Sequence, residues 1–309
     1  MKIITPRVEF ITEPDALKRI ELAGRVCYKS EDKITEDSAE RFVKVLMKSG
    51  HESVLEHSNI ILRTNYERDS KRLIEVLNQY EEDGDIPHFI RRSRWQNTFT
   101  NIFSGNARAW RSLVKAFPYE LAWRAFEVHP LFNDLDFSWR KAFNFIGWSN
   151  DIEIIPWAPG KMHNIITAKF ICSRGVSHEL VRHRLFSLSQ ESTRYVKYGD
   201  VEYIEPWWAG DDLWNDKESC DKYSVRMANF EGAALEAEAR YAKYIANGDV
   251  AQLARGVLNH DTKTEVVATG TISQWERFFA LRNSNAAHPD IRRLAEDCEA
   301  FTIDMRKAV

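Results

Sequence analysis

The chain has 309 residues, of which 44% are hydrophobic and 29% charged, a globular composition long enough for one large domain or two ordinary ones. The 43 basic and 46 acidic side chains give a net charge of -3, which argues against a general nucleic-acid coat protein but permits a local basic pocket. No apolar run approaches the roughly 18–20 residues that span a bilayer, and the first residues lack the apolar core of a signal peptide. The sequence therefore predicts a soluble, cytoplasmic protein without a membrane partner.

The first part of the chain predicts short strands and two helices. A strand is expected at residues 2–4 or 8–11, and Thr12 is expected to cap a helix whose apolar residues recur at helical spacing up to Val26. A second helix is predicted over 37–48, with Gly50 as its stop. The apolar run at 60–62 predicts a strand within 57–63.

Residues 65–160 differ in character, because six of the ten tryptophans lie between Trp95 and Trp157. Helices are predicted over 69–82, 107–116 and 118–128, with turns at 83–85 and 134–136. A linker rich in proline, glycine or serine is absent from the sequence. We therefore expect one domain over 1–309 that carries a helical, tryptophan-rich insertion at about 65–160 packed on its main body.

The remaining chain mixes strands and helices without regular alternation. Strands are predicted at 163–172 and 264–269, and a helix or turn at 176–184. Helices are predicted at 223–247, 251–258, 273–282 and 288–306. Because crossover helices do not separate the strands, the fold class is predicted to be α+β rather than a doubly wound parallel sheet. No regular repeat period is visible.

The cysteines and histidines do not form a metal-binding pattern in the sequence. Cys27, Cys172, Cys220 and Cys298 are far apart, and the chain has no C-x-x-C, so reduced and mostly buried thiols are expected. His51 and His57 are six residues apart, which puts them on different faces of a helix. No metal is therefore predicted.

The densest cluster of chemically able side chains lies at 177–195. It contains three arginines within 13 residues and a set of hydroxyls on Ser187, Ser189, Ser192 and Thr193. Arginine offers a planar fork of donors, and hydroxyls add short neutral ones, so the segment suits a phosphate-bearing ligand. The alternative is a charged surface that contacts only solvent, because most clusters of charged residues have no ligand.

The order of these residues is a known signature. Arg182-His183-Arg184, seven residues, and Ser192-Thr193-Arg194 form R-H-R-x7-S-x-R. With the surrounding block GVSHELVRHRLFSLSQESTRYV, it resembles the flavin-dependent thymidylate synthases, the ThyX family. The segments IELAGRVCYKS, GHESVLEH, LARGVL and FFALRNSNAAHPDIRRLAEDC resemble further parts of that family in the same order. The resemblance covers residues 1–63 and 163–309 and leaves the insertion outside.

The resemblance implies a ThyX-like fold, with an antiparallel sheet core and long flanking helices, and a reductive methylation. In that family methylenetetrahydrofolate donates a one-carbon unit to dUMP, and FAD reduced by NADPH supplies the hydride, so that dTMP forms. The flavin carries out the hydride chemistry while the protein binds and orients the reactants. The resemblance also implies a homotetramer whose active sites are shared between subunits.

Site residues follow from the resemblance position by position. Arg282 matches the catalytic arginine, which stays protonated and stabilises negative charge that develops on the uracil ring. The implied dUMP contacts are Glu179, Leu180, Val181, Arg182, Gln190, Glu191, Ser192, Thr193, Arg194, Arg255 and Arg282. The implied FAD contacts are Ser53, His57, Arg182, His183, Arg184, Gln190, Thr271, Ser273 and Arg277. The alternatives are a surface arginine at 282, an ordinary cap or loop hydroxyl at 53 and a structural histidine at 57.

The family's N-x-R turn is replaced at its expected position, and a similar turn is found in the insertion. The family's N-x-R turn, which contacts FAD, aligns with Thr271 and Ser273, so both strong polar groups are missing. The insertion contains a similar turn, SGNARAWR at 104–111. One hypothesis is that Asn106 and Arg108 supply the missing FAD contacts. The alternative is a capped surface helix with a buried Trp110.

Two further functions compete with the enzyme. A catalytically inactive homologue that binds nucleotide or flavin and regulates would fit the altered residues at 271 and 273. A single-stranded nucleic-acid binder would use the tryptophans for stacking. The acidic net charge and the helical spacing of most tryptophans disfavour the second of these, so no nucleic-acid partner is predicted.

Overall fold

The computed structural model describes the chain except residues 83–89, 95–100, 119–120, 122–123, 136–151, 211–216 and 308–309. The strands are β1 (Lys2–Ile4), β2 (Arg7–Phe10), β3 (Asn59–Thr64), β4 (Arg91–Arg94), β5 (Asn101–Asn106), β6 (Ile152–Ile155), β7 (Ile165–Ser173), β8 (Ser187–Gln190), β9 (Glu202–Ile204) and β10 (Lys263–Thr271). The helices are α1 (Ala16–Tyr28), α2 (Ser38–Lys48), α3 (Glu67–Glu82), α4 (Ala107–Ala116), α5 (Arg124–Glu127), α6 (Arg174–Leu180), α7 (Lys217–Ala246), α8 (Ala251–Ala254), α9 (Ile272–Arg282) and α10 (Pro289–Lys307). Short 3-10 turns are found at Glu31–Lys33, Glu52–His57, Pro130–Phe132, Trp207–Ala209 and Arg255–Val257.

Two antiparallel sheets organise these elements, which confirms a mixed helix and sheet architecture. The first sheet has the order β2–β7–β10–β8, and the second has the order β4–β5–β3–β6. A small parallel pair joins β1 to β9. Helices α6, α9 and α10 pack on the first sheet around the buried Phe170, Trp275 and Phe278. None of the described helices is long and apolar enough to cross a membrane.

The predicted insertion is not helical throughout. Helices α3 and α4 form where they were predicted, but β4, β5 and β6 also form there. They build the second sheet with β3, which pairs with β5 and β6, while β4 pairs with β5. Signals for these strands are weak in the sequence, because Asn101–Asn106 contains Gly105 and two asparagines, residue types that are depleted in strands. The predicted helix over 118–128 is described only as Arg124–Glu127, and the predicted turn at 83–85 lies outside the described residues.

The start of α1 differs from the sequence prediction. Asp15, not Thr12, is the cap, and its side chain accepts a hydrogen bond from the backbone N–H of Lys18. A carboxylate is the better cap at this position because it also suits the positive end of the helix. The other predicted helices and strands of the family-like part agree with the structure to within a few residues, apart from the long helix α7, which begins at Lys217 rather than 223.

The two sheets contain a structural repeat that the sequence hides. In one copy Asn59 of β3 pairs with Asn106 of β5, and β5 leads directly into α4. In the other copy Ile165 of β7 pairs with Thr271 of β10, and β10 leads directly into α9. We call residues 57–117 the first repeat and residues 163–282 the second repeat.

Three hydrogen bonds recur at equivalent positions of the two repeats. The helix-capping side chains of Asn106 and Thr271 accept from the N–H groups of Ala109 and Gln274. The indole N–H of Trp110 donates to the Ile60 carbonyl at 3.1 Å, and that of Trp275 donates to the Ile166 carbonyl at 3.0 Å. The backbone N–H groups of Ala107 and Ile272, the first residues of the two helices, donate to the Ser58 and Asn164 carbonyls at 2.9 and 3.1 Å.

Two histidines join the repeats to each other. His57 Nδ1 lies 2.8 Å from the Thr269 hydroxyl of the second repeat. His163 Nδ1 lies 2.7 Å from the Ser104 hydroxyl of the first repeat. Each repeat thus contributes a histidine to the other's strand, which is the reciprocal arrangement of a two-fold interface.

Substitution of either indole tests the equivalence of the repeats. We expect Trp110→Phe and Trp275→Phe each to lower the free energy of unfolding by roughly 1–2 kcal/mol, because each removes a hydrogen bond to a buried carbonyl. Trp207→Phe is the control, since Trp207 is an exposed tryptophan in a 3-10 turn outside the strands and helices that the two repeats share. Urea denaturation measures all three, and a loss at only one of the two buried sites would contradict the equivalence.

His57 makes stability depend on pH. Complete burial lowers the pKa of His57 to about 3, whereas an unfolded histidine titrates near 6.5. The unfolded chain therefore binds the proton more readily between these values, and stability present above pH 6.5 is lost as the pH falls. We expect a slope of up to about 1.4 kcal/mol per pH unit from this group. Denaturation at pH 7, 6, 5 and 4 should give a shallower slope for His57→Gln; equal slopes would contradict the assignment.

Candidate active site

Arg282, at the last turn of α9, is held by groups from the neighbouring helix α6 and the turn after it. Its Nη1 donates to the Glu179 carboxylate at 2.7 Å, and its Nη2 donates to the Glu179 carbonyl at 3.1 Å. Its Nε donates to His183 Nε2 at 2.8 Å. A guanidinium has five N–H groups, so two remain for a ligand at this partly exposed position. Arg282 is therefore fixed rather than a mobile surface arginine.

The contact with Arg282 defines the state of His183. Burial, and secondly the charge of Arg282, lowers the pKa of His183 to about 4. The ring is thus neutral at physiological pH, and its Nε2 is the acceptor of the arginine N–H, which leaves the proton on Nδ1. His183 acts here as a neutral support for the guanidinium.

An open cavity of about 660 Å³ lies beside the signature segment. Arg255 reaches it from the 3-10 turn after α8, and its Nη1 donates to the Thr193 hydroxyl at 3.4 Å. His178 and His260 meet edge to face at its wall, with ring centroids 5.5 Å apart. Arg174, the first residue of α6, also lines this cavity. Two guanidiniums, a hydroxyl and imidazoles make it suitable for an anionic ligand.

Arg174 is a candidate that the sequence analysis missed. Its Nη1 is buried and has no hydrogen-bond partner among the residues that the structure describes. A buried donor without a partner is costly, and an oxyanion in the cavity would satisfy it. The available signal was its position directly after a buried strand, at the start of the helix that carries Glu179.

The signature residues divide into ligand-facing and structural groups. Arg194 is exposed, and its Nε donates to Gln252 at 3.4 Å. Ser192 is partly exposed, and its hydroxyl accepts from the Arg194 backbone N–H. Gln190 donates to the Ser177 hydroxyl at 2.9 Å. The Glu191 carboxylate is instead buried, where it accepts from the Tyr198 hydroxyl and pairs with a lysine, so its predicted ligand contact is not supported for the side chain.

The R-H-R turn exposes both of its arginines. Arg182 and Arg184 are exposed and have no ion pair among the described residues. Val181 is also exposed, whereas Leu180 is fully buried in the core and can contact a ligand only through its backbone. The arginine pair therefore remains free for an anion.

The predicted FAD residues differ in their exposure to solvent. Ser53 and Arg277 are exposed, while His57 is fully buried with Nε2 2.9 Å from the Ser189 hydroxyl and Nδ1 on Thr269. Both ring nitrogens of His57 thus lie within hydrogen-bond distance of hydroxyl groups inside the chain. Thr271 is buried and caps α9. Its hydroxyl also lies 3.1 Å from that of Ser273.

The turn at Asn106 in the insertion lies beside the turn at Thr271, where the family's N-x-R residues are replaced. Asn106 and Thr271 line one narrow crevice, together with Glu56, Ser187 and Gln274. Arg108 is half exposed and pairs with Glu56 at 2.6 Å. The structure thus places the two equivalent turns of the repeats on either side of the same crevice. Within the described part of the chain, no cluster of three side chains suits a metal ion.

A family model described as "Thymidylate synthase complementing protein" matches residues 9–69 and 159–303. The match skips the segment that forms most of the first repeat. A flavin-dependent thymidylate synthase from Mycobacterium avium (strain 104) is 35% identical over 141 residues, 44% of this chain and 56% of that protein. The Mycobacterium tuberculosis (strain ATCC 25618 / H37Rv) enzyme of that name is 35% identical over 130 residues, 41% of this chain and 52% of that protein. The chain therefore spans about half the length of the relatives it matches.

Among solved structures, the UMP/dUMP methylase PolB from Streptomyces cacaoi bound with 5-Br dUMP has a TM-score of 0.43 and 16% identity, and the match covers 98% of this chain and 92% of that one. At this TM-score the likeness does not define the arrangement of the elements. The family match is independent of it and includes Arg174, the R-H-R turn, the cavity arginine Arg255 and Arg282. By that match the chain belongs to the thymidylate synthase complementing protein family.

Proposed function

We propose that the chain is a flavin-dependent thymidylate synthase, which reductively methylates dUMP to dTMP. Methylenetetrahydrofolate is the carbon donor, and NADPH-reduced FAD is the hydride source. The observation that carries the proposal is the fixed guanidinium of Arg282 beside Glu179 and His183. Helix α6, which carries Glu179, begins at Arg174, and Arg174 lines a cavity together with Arg255. The family match and the name shared by the relatives support the same reaction.

Arg282 is assigned to the uracil ring. Its two free N–H groups can donate to a ring carbonyl and a deprotonated ring nitrogen, and a protonated guanidinium stabilises negative charge on that ring. Glu179 and His183 fix its plane before substrate arrives, so little reorganisation is needed in the transition state.

The cavity is assigned to the phosphate of dUMP. Arg174 and Arg255 offer charged donors there, and Ser192 with Arg194 lies on the same loop as Thr193. The unsatisfied Arg174 Nη1 supports an oxyanion as the missing partner. Charge-assisted bonds of this kind discriminate strongly between a phosphorylated nucleoside and the free nucleoside.

The residues of the R-H-R turn fit FAD. Arg182 and Arg184 present guanidiniums without ion pairs in the described structure, which suit an anionic dinucleotide. When bound, reduced FAD supplies the hydride that converts the methylene group to methyl. The chain's own residues bind and orient the dinucleotide and keep its anionic groups near these arginines.

The cysteines support a reaction without a thiolate nucleophile. Burial raises the pKa of Cys172 to about 12 and also raises that of Cys27. Both thiols are therefore protonated at neutral pH and are poor nucleophiles. Transfer of a methylene group without covalent attachment through these two residues agrees with flavin-based chemistry.

A homotetramer with shared sites and a cytoplasmic location stay predictions. Exposed apolar residues on and after α7, among them Leu235, Val250 and Leu253, support an interface on that side of the chain. The inactive homologue is not favoured, because Arg182, Ser192, Arg194 and Arg282 are all present and Arg282 is fixed in place.

The purified chain tests the proposal directly. It should be yellow, its flavin absorbance should bleach with NADPH under anaerobic conditions, and dTMP should form only when dUMP and methylenetetrahydrofolate are both present. Flavin bleaching without dTMP formation would instead support the inactive homologue.

Arg282→Ala is expected to abolish dTMP formation while the protein stays folded and binds FAD. The physical reason is the loss of charge stabilisation on the uracil ring, at a position away from the R-H-R turn. Product formation, circular dichroism and FAD binding are measured on the same preparation. Turnover near the wild-type rate would remove Arg282 from the mechanism.

Arg174→Ala and Arg194→Ala are expected to weaken binding of dUMP far more than that of deoxyuridine. Each lost charge-assisted bond is worth about 1.5–3 kcal/mol, or at least tenfold in Kd. Arg240→Ala, an exposed arginine on α7, is the control. Calorimetric titration measures the Kd of each variant for dUMP and for deoxyuridine. An equal rise of both Kd values would exclude a phosphate contact.

A further inference from the structure

The first sheet carries a line of charged side chains on the face opposite to helices α6, α9 and α10. Glu9 of β2 pairs with Lys169 of β7 at 2.8 Å, and Lys169 pairs with Glu265 of β10 at 3.4 Å. Glu265 also accepts from Lys263, two residues earlier on β10. Lys263 in turn donates to the carboxylate of Glu191, the residue after β8, at 3.3 Å. Charges of alternating sign thus cross all four strands of this sheet.

The last ion pair of this line is almost completely buried. The Lys263 side chain is 5% exposed and that of Glu191 is 1% exposed. Burial alone would lower the pKa of Lys263, but the charges of Glu191 and Glu265 raise it above its ordinary value, so the ammonium group stays charged. The other oxygen of the Glu191 carboxylate accepts from the Tyr198 hydroxyl at 2.8 Å. Both carboxylate oxygens are therefore held, one from β10 and one from the segment after the signature.

Stability alone does not account for a buried ion pair of this kind. Taking two charges out of water costs about as much free energy as their attraction returns, so well-packed apolar side chains would stabilise the fold at least equally. What the pair adds is direction, because charge-assisted hydrogen bonds to both oxygens fix the orientation of a carboxylate. The pair therefore indicates that the geometry at Glu191 matters.

Glu191 begins the loop that the proposed function assigns to phosphate. Ser192 and Arg194 are the assigned contacts, and Thr193 between them is buried at the wall of the cavity. Glu191 and Tyr198 flank this loop in the sequence, so the hydrogen bond between their side chains closes it at its base. A displacement of Glu191 would pass through the backbone to the three residues that follow it. A loop already held in its bound conformation loses less conformational entropy when the ligand binds.

We propose that Lys263 and Tyr198 are positioning residues for phosphate recognition, which act by holding the Glu191 carboxylate at the base of this loop. Because both side chains are buried, they act through Glu191 rather than on the nucleotide. Their effect is to keep the Ser192 hydroxyl and the Arg194 guanidinium in place before the ligand arrives. Neither Lys263 nor Tyr198 belongs to the R-H-R-x7-S-x-R signature. This inference rests on the proposed function, since it takes the phosphate of dUMP as the ligand of the loop.

Tyr198→Phe is the mildest test, because it removes the hydroxyl and keeps the ring. We expect the Kd for dUMP to rise about tenfold, since a hydrogen bond to a charged group is lost, while the Kd for deoxyuridine stays unchanged. Tyr203→Phe is the matched control: Tyr203 is fully buried, and its hydroxyl donates at 2.8 Å to the Ala234 carbonyl of α7 rather than to the loop. The control should lower the melting temperature to a similar extent and change neither Kd.

Lys263 is tested through its dependence on Glu191. Lys263→Met leaves Glu191 and Glu265 without their shared ammonium group and should raise the Kd for dUMP by more than about tenfold. The double variant Lys263→Met/Glu191→Gln should bind dUMP no more weakly than the weaker of the two single variants, because the two residues act as one unit. Lys263→Arg keeps the positive charge and should restore most of the affinity. Where Lys263→Met fails to fold, Tyr198→Phe with its control decides alone.

Calorimetry gives the Kd values, and steady-state kinetics give kcat and the KM for dUMP on the same preparations. A positioning role raises the KM for dUMP and leaves kcat at saturating dUMP near the wild-type value, whereas a loss of folded enzyme lowers kcat alone. Equal weakening of dUMP and deoxyuridine, or a lower kcat at unchanged KM, overturns this inference alone. Additive effects of Lys263→Met and Glu191→Gln overturn the action of Lys263 through Glu191. A wild-type chain that does not prefer dUMP to deoxyuridine overturns the phosphate assignment of the proposed function as well.

Discussion

The site depends on one long strand pairing, that of β7 with β10. The ladder runs from the Ser173–Lys263 pair to the Ile165–Thr271 pair, nine residues or about 27 Å. Helix α6 leaves one end of it and α9 leaves the other, and both pack back over the same face. Their lengths of 7 and 11 residues correspond to about 10.5 and 16.5 Å, which together match the length of the ladder. The C-terminal ends of the two helices therefore meet, and Arg282 reaches Glu179.

The same geometry in the first repeat builds no such site. Its β5 leads into α4 as β10 leads into α9, with the same cap, indole contact and strand register. The positions that correspond to Glu179, His183 and Arg282 are Leu73, Leu77 and Phe117, which pack in one apolar core. Burial of such side chains contributes about 1.5–3 kcal/mol each. At these three positions the first repeat therefore has side chains that stabilise its core, whereas the second repeat has polar and charged side chains. Stability and chemistry are thus divided between two similar units.

Much of the fold and part of the site could be predicted from the sequence. Periodicity located the helices well, since amphipathic spacing is a local property. The repeat could not be seen, because what the two copies share is strand register and hydrogen bonding to the backbone rather than side-chain identity. The family resemblance identified Arg182 and Arg194 in the signature and Arg282 in the FFALR segment. It could not show that His57 is buried between Ser189 and Thr269, because both partners lie more than a hundred residues along the chain.

The altered turn of the second repeat shows why a change of ligand-facing residues need not change the fold. The Thr271 hydroxyl still caps α9 by accepting from the Gln274 backbone N–H, and the Gln274 side-chain oxygen accepts from the Thr271 backbone N–H at 2.7 Å. Both of these backbone N–H groups at the helix start therefore have a partner. Such a capping box stabilises the start of a helix as well as an asparagine cap does. The direction of α9, and with it the position of Arg282, is therefore maintained by residues that offer little to a ligand. The equivalent turn of the first repeat lines the same crevice, and there Asn106 caps its own helix through its side-chain oxygen. Both helices are therefore held at their starts by side-chain caps, and the residues at these turns differ while the helix directions do not.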